Sequence, residues 1–340
     1  MDDAGMFNEQ FFLGGFFIIT GVVFCSVLIG TGLWLAWFAG YRHRNLCGDE
    51  SDFLVTRLPR PPQRWSVTDF FVMFGMIIVI GSLMAPRAQP AAAPTTPREA
   101  ETTRPADVAE TGSGESVDGE MAAQEDDSAG TPPKRDLTRR VATQMVANAG
   151  AFSLMLVFLF LTRDATPESL SLVPRLSDFR RGILATIWIL APVLLINLVA
   201  SQLVEYKHTV TDLLAERNSF RTFAALFLSA AIVTPVVEEF QFRLLLQGGL
   251  QKLVGDASWN DDDPAWTFES LVPLLVSSFV FALMHFGQGA APIPLFFLAM
   301  GLGLVYQRTG RLWIVIVVHI ILNSATICLE FCRLNAGLTV

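Results

Sequence analysis

Apolar residues fall into eight long runs, at about residues 11–39, 66–86, 141–162, 182–204, 222–250, 270–286, 292–307 and 311–333. A chain crosses hydrocarbon as a helix of about 20 mainly apolar residues, because backbone N–H and C=O groups left unpaired there cost several kcal/mol each. The pattern therefore predicts an all-α, polytopic membrane protein with about eight transmembrane helices. The first run follows Asp2, Asp3 and Glu9 instead of a basic stretch and is too long for a signal-peptide core, so it is expected to remain as a span.

Residues 87–135 interrupt the pattern. They hold no aromatic side chain and are dense in Pro, Ala, Thr, Gly, Glu and Asp, a composition that cannot bury enough surface to fold. The expected organisation is a two-span anchor over residues 1–86, a disordered acidic linker over 87–135, and a six-span domain over 136–340. Only 16% of the residues are charged against 52% hydrophobic, which fits a surface covered by lipid instead of water. The net charge of −8 lies largely in the linker, so no basic surface for nucleic acid is indicated. Cys25, Cys47, Cys328 and Cys332 form no metal or disulfide pattern.

Arginines cluster in two loops, with Arg42, Arg44, Arg57, Arg60 and Arg64 after the first run and Arg163, Arg175, Arg180 and Arg181 after the third. The positive-inside bias puts both loops in the cytoplasm, both termini outside, and the acidic insert Asp256 to Trp266 on the cytoplasmic side. The expected location is the cell (inner) membrane.

The fifth run carries Glu238, Glu239 and Arg243 within TPVVEEFQFRLLLQGG. Each such side chain costs about 2.5 to 3.5 kcal/mol at the centre of an inserted helix, so three together imply internal partners or a function. A spacing of four aligns Glu239 with Arg243 on one face and leaves Glu238 to find a partner on another helix. His285 closes the sixth run, and His319 in the eighth is aligned with Asn323. At about 1.5 Å per residue, Glu238, His285 and His319 lie about 18, 23 and 12 Å from the cytoplasmic side, within roughly two turns of one another. Taken singly, a histidine or a Glu–Arg pair in a span is more often structural. Together, a carboxylate, two imidazoles and a carboxamide supply a general base, a second proton-handling group and oxyanion donors.

These motifs, Glu238-Glu239-xxx-Arg243, Phe281-xxx-His285 and His319-xxx-Asn323, resemble those of the CPBP family of intramembrane proteases, which includes the CAAX prenyl endopeptidases and the bacterial Abi or bacteriocin-immunity proteins. The stretch LFFLAMGLGLVYQRTGRLW resembles the family's Gly-rich span and its aromatic, Arg, Thr, Gly turn. The chain departs from the family in Leu244, where many bacterial members have Gly, and in the insert WNDDDPAW. The resemblance covers about residues 180–330 and implies a six-helix CPBP-like core.

It further implies hydrolysis of a peptide bond by an activated water within the bilayer. Glu238, His285, His319 and Asn323 would be catalytic, and Glu239 and Arg243 would support them. No cofactor is required by this chemistry. A divalent metal such as zinc, held by Glu238, His285 and His319, is the less favoured alternative, and no HExxH motif is present. The implied partners are the lipid bilayer and a membrane-associated protein or peptide substrate. Two other classes compete, a non-proteolytic scaffold or immunity protein and a proton-coupled transporter. The second calls for inverted repeats, and none is visible in the spans.

Overall fold

The structure is a computed structural model and describes residues 8–47, 58, 63–84, 134–204, 209–216, 218–255 and 268–338. Its helices are α1 (Glu9–Cys47), α2 (Val67–Met84), α3 (Lys134–Thr162), α4 (Leu176–Leu203), α5 (Thr209–Glu216), α6 (Phe220–Val254), α7 (Phe268–Leu283), α8 (Pro292–Thr309) and α9 (Leu312–Asn335). There is no strand among the described residues. The protein is all-α and polytopic. Six helices, α1 to α4, α6 and α9, are long and apolar enough to cross a membrane. The expected count of eight is approximate: the runs at 270–286 and 292–307 form α7 and α8, of 16 and 18 residues, while α5 is a short helix that the apolar runs did not foreshadow. Lys134 and Arg135, expected at the end of the linker, instead begin α3, as a polar extension of its apolar run. The rest of the linker and the insert Asp256 to Trp266 lie outside the described residues.

Helix α6 is central, packed against α2, α3, α7, α8 and α9. Ser219 starts it by accepting a hydrogen bond from the Thr222 N–H at 3.2 Å, and Gly255 ends it in the left-handed conformation, φ 67°, which a residue without Cβ adopts freely. Between these ends the helix widens twice into π-helical turns, Phe227–Val233 and Phe240–Gly248. Pro235 accounts for the first. A proline inside a helix clashes with the preceding turn and supplies no N–H, and here Thr234 N–H reaches back five residues to the Ser229 carbonyl.

The two N-terminal spans pack on this core. Helix α1 lies against α4 and α9. A Cβ at Gly30 would sit 2.2 Å from the Ile187 carbonyl oxygen, so only glycine permits the approach. Next to it Trp34 stacks on Trp188, ring centroids 4.1 Å apart, and donates Nε1–H to the Trp188 carbonyl at 2.9 Å. Helix α2 is tied to α3 by Arg163 and the fully buried Asp69, 2.8 Å apart. The segment before it docks on α6, where Trp65 donates to the Leu244 carbonyl at 2.6 Å, Gly248 leaves room for the Gln63 and Trp65 side chains, and Gly249 leaves room for the backbone at Ser66 and Val67. Arg311, before α9, forms a two-pronged pair with Asp178 at the start of α4, so the turn after α8 is held as well. Large apolar side chains such as Phe17, Ile18, Leu161, Leu195 and Leu203 remain on the outer surface, as lipid-facing positions of an integral multi-pass membrane protein.

Candidate active site

The carboxylates of α6 meet His319 of α9 in the interior. Glu239 is fully buried, and its Oε1 accepts a hydrogen bond from His319 Nδ1 at 2.8 Å. Because a carboxylate only accepts, this contact places a proton on Nδ1 and turns Nε2 toward Glu238, whose Oε2 is 3.8 Å away. That distance is too long for a direct hydrogen bond. Glu238 is the more accessible of the pair, with 21% of its side chain exposed against none for Glu239. One imidazole therefore stands between a buried carboxylate that orients it and a partly open one that it faces.

Arg243, one turn beyond, is also fully buried. Its Nε lies 3.1 Å from Glu239 Oε2, outside hydrogen-bond geometry, so charge holds the pair. The guanidinium carbon lies 5.2 Å from the centroid of the Phe281 ring. That ring touches more of the site than any spacing rule implied. It is 5.0 Å from the His285 ring, 6.1 Å from His319 and 5.1 Å from Phe242, centroid to centroid. Phe281 is thus a shared wall for both imidazoles and the arginine.

His285 does not sit within a helix. Helix α7 ends at Leu283, and His285 follows in the turn, where its Nδ1 donates to the Phe281 carbonyl at 3.0 Å. A carbonyl accepts only, so the neutral ring again leaves Nε2 as its open lone pair.

Asn323 has a further role that motif reading could not reveal. Its Nδ2 donates to the Ala230 carbonyl at 2.9 Å, within the first π-helical turn. In that five-residue register the donor for Ala230 would be residue 235, which is proline. The chain thus frees a carbonyl on α6, and α9 satisfies it. The signal was present in the sequence as Pro235, three residues before Glu238, but its partner could not be identified without the tertiary contact.

The structure thus brings together Glu238, Glu239, Arg243 and His319, joins His285 to them through Phe281, and anchors Asn323 to the same helix. The donors that would hold a metal are less well gathered. Among the described residues no three His, Cys, Asp or Glu side chains cluster as an ion would require.

The family described as type II CAAX prenyl endopeptidase Rce1-like matches residues 220–325. No curated protein and no solved structure matches the chain. The matched segment runs from the start of α6 through Asn323 and includes every motif residue named above. This segment is similar to the Rce1-like CAAX prenyl endopeptidase family, in accord with the CPBP resemblance, and lies within a polytopic helical membrane protein.

Proposed function

We propose that this protein is a glutamate-type intramembrane endopeptidase. The observation that carries the reading is the bracketing of His319 by two carboxylates, Glu239 at 2.8 Å and Glu238 at 3.8 Å. Glu238 takes a proton from a water that also hydrogen-bonds to His285 Nε2, and the hydroxide formed attacks the scissile carbonyl carbon. The resulting oxyanion needs donors. His319 can be one only as imidazolium, since its Nδ1 proton is already given to Glu239 and Nε2 must carry a second. Asn323 supplies the other, through the amide hydrogen not used on Ala230. Collapse of the tetrahedral intermediate breaks the C–N bond, and the proton held by Glu238 passes to the leaving amine. Glu239 and Arg243 keep the imidazole oriented.

Membrane peptides are the proposed substrate class, a prenylated C-terminal peptide being the form that the family description suggests. The test is Glu238→Gln in the full chain, reconstituted in proteoliposomes with such a peptide. Turnover is expected to fall by about 10² to 10⁴ with folding intact, the range of general-base catalysis. A variant that cleaves at the wild-type rate removes Glu238 as base. Wild-type turnover abolished by a chelator and restored by zinc overturns the metal-free form.

A further inference from the structure

Polar residues recur along one face of α6 well beyond the motif. Glu239, Arg243, Gln247 and Gln251 follow one another at intervals of four, and each is fully buried. A helix in lipid has no reason to carry four buried polar side chains in register unless they have partners.

Some of their atoms have none. Among the described residues, Arg243 Nη1 and Nη2 and Gln247 Oε1 are buried without a hydrogen-bond partner. Two donors and an acceptor thus lie one helical turn apart and do not reach each other. The neighbouring helices add to the same seam. Gln247 Nε2 donates to the Gly303 carbonyl on α8 at 2.9 Å, and Gln307, one turn beyond Gly303, carries a second buried acceptor, Oε1, without a partner. On α7, Ser278 Oγ is buried and unpaired, three residues before Phe281, the ring beneath the guanidinium.

Leaving a buried donor or acceptor unmet costs about 1 to 3 kcal/mol, so this many together are unstable as a dry seam. Water is the ligand that meets them. It accepts from Arg243 and donates to Gln247 and Gln307, and polar groups of both kinds are what a buried water needs.

We propose that the Glu239–Gln251 face of α6 binds a file of ordered waters, running from the exposed Gly255 end to the Glu239–His319 contact over about 20 Å. The file fills the seam between α6, α7 and α8. Its use rests on the proposed protease reading: each peptide bond cleaved consumes one water, and an enclosed site must be resupplied by a polar route. The binding of water itself does not depend on that reading.

The test is hydroxyl-radical labelling by X-ray radiolysis of the full chain in nanodiscs, read as oxidative mass shift at each residue. Radicals born from bound water mark the side chains beside it, and no substrate is needed, so a protein without proteolytic activity still answers. Phe281 and Leu274 line the seam and are nearly inaccessible from the surface, Leu274 meeting the position where a Cβ on Gly303 would stand. Both should be oxidised several-fold above Met73 and Met155, equally buried on α2 and α3, after correction for intrinsic reactivity. Gln247→Leu and, independently, Gln307→Leu should lower that labelling several-fold. Labelling of Phe281 and Leu274 at the level of the two methionines in the wild-type chain overturns the proposal. So does undiminished labelling in whichever of the two variants folds.

Discussion

Replacing Glu239 by Gln leaves a carboxamide of nearly the same shape, yet among the described residues it removes the only fully buried anion paired with Arg243. At 3.1 Å and an effective dielectric constant near 20, the pair is held by about 5 kcal/mol of Coulomb energy. Neither side chain is exposed to bulk solvent, so bulk screening of the loss is weak. Removing one partner of such a pair costs about 3 to 5 kcal/mol, because the remaining charge stays buried. Glu239→Gln should reach that range. Arg243→Met should cost less, since Glu239 keeps His319 as partner, although the contact with Phe281 is lost. The double variant is expected to be no less stable than Glu239→Gln alone, which makes the coupling several kcal/mol. The measurement is unfolding of the purified chain by SDS in mixed micelles, followed by the fluorescence of buried Trp65 and Trp188. If the two losses simply add, the pair is not the neutralising unit described here and the argument from buried charge fails.

Three further outcomes follow from particular contacts. Asn323→Leu should lose about 10² to 10³ in turnover through the missing oxyanion donor and about 1 to 3 kcal/mol through the orphaned Ala230 carbonyl. The stability part alone should shrink in a Pro235→Ala background, where residue 235 regains an N–H; melting curves and initial rates on the four proteins separate the two effects. Gly30→Val should lower stability by about 1 to 3 kcal/mol by forcing α1 away from the Ile187 carbonyl. The Trp34–Trp188 stack should loosen with it, and an unchanged tryptophan spectrum and melting temperature would show that α1 does not sit against α4.

The lipid-spanning, all-helical character of the protein could be read directly from the chain, since the cost of unpaired backbone in hydrocarbon turns each long apolar run into a helix. The candidate site residues stood out for the same reason: Glu238, Glu239, Arg243, His285 and His319 are expensive in lipid, so their presence is itself a signal. Even the Glu239–Arg243 alignment needed only the period of a helix. These are local properties, decided by side-chain solvation and by a spacing of four.

What lies between helices was not legible. The sequence could not say that His319 is oriented by Glu239 and faces Glu238, because two carboxylates adjacent in the chain differ only in the direction each takes from α6. Nor could it reveal that Asn323 completes the backbone left open by Pro235, or that Gln247 extends the motif's face against Gly303; each depends on a partner at least 56 residues away. Pattern and solvation cost determined which residues had to be sheltered. Only tertiary contact decided which atoms met, because directional hydrogen bonds depend on how α6, α7, α8 and α9 are set against one another.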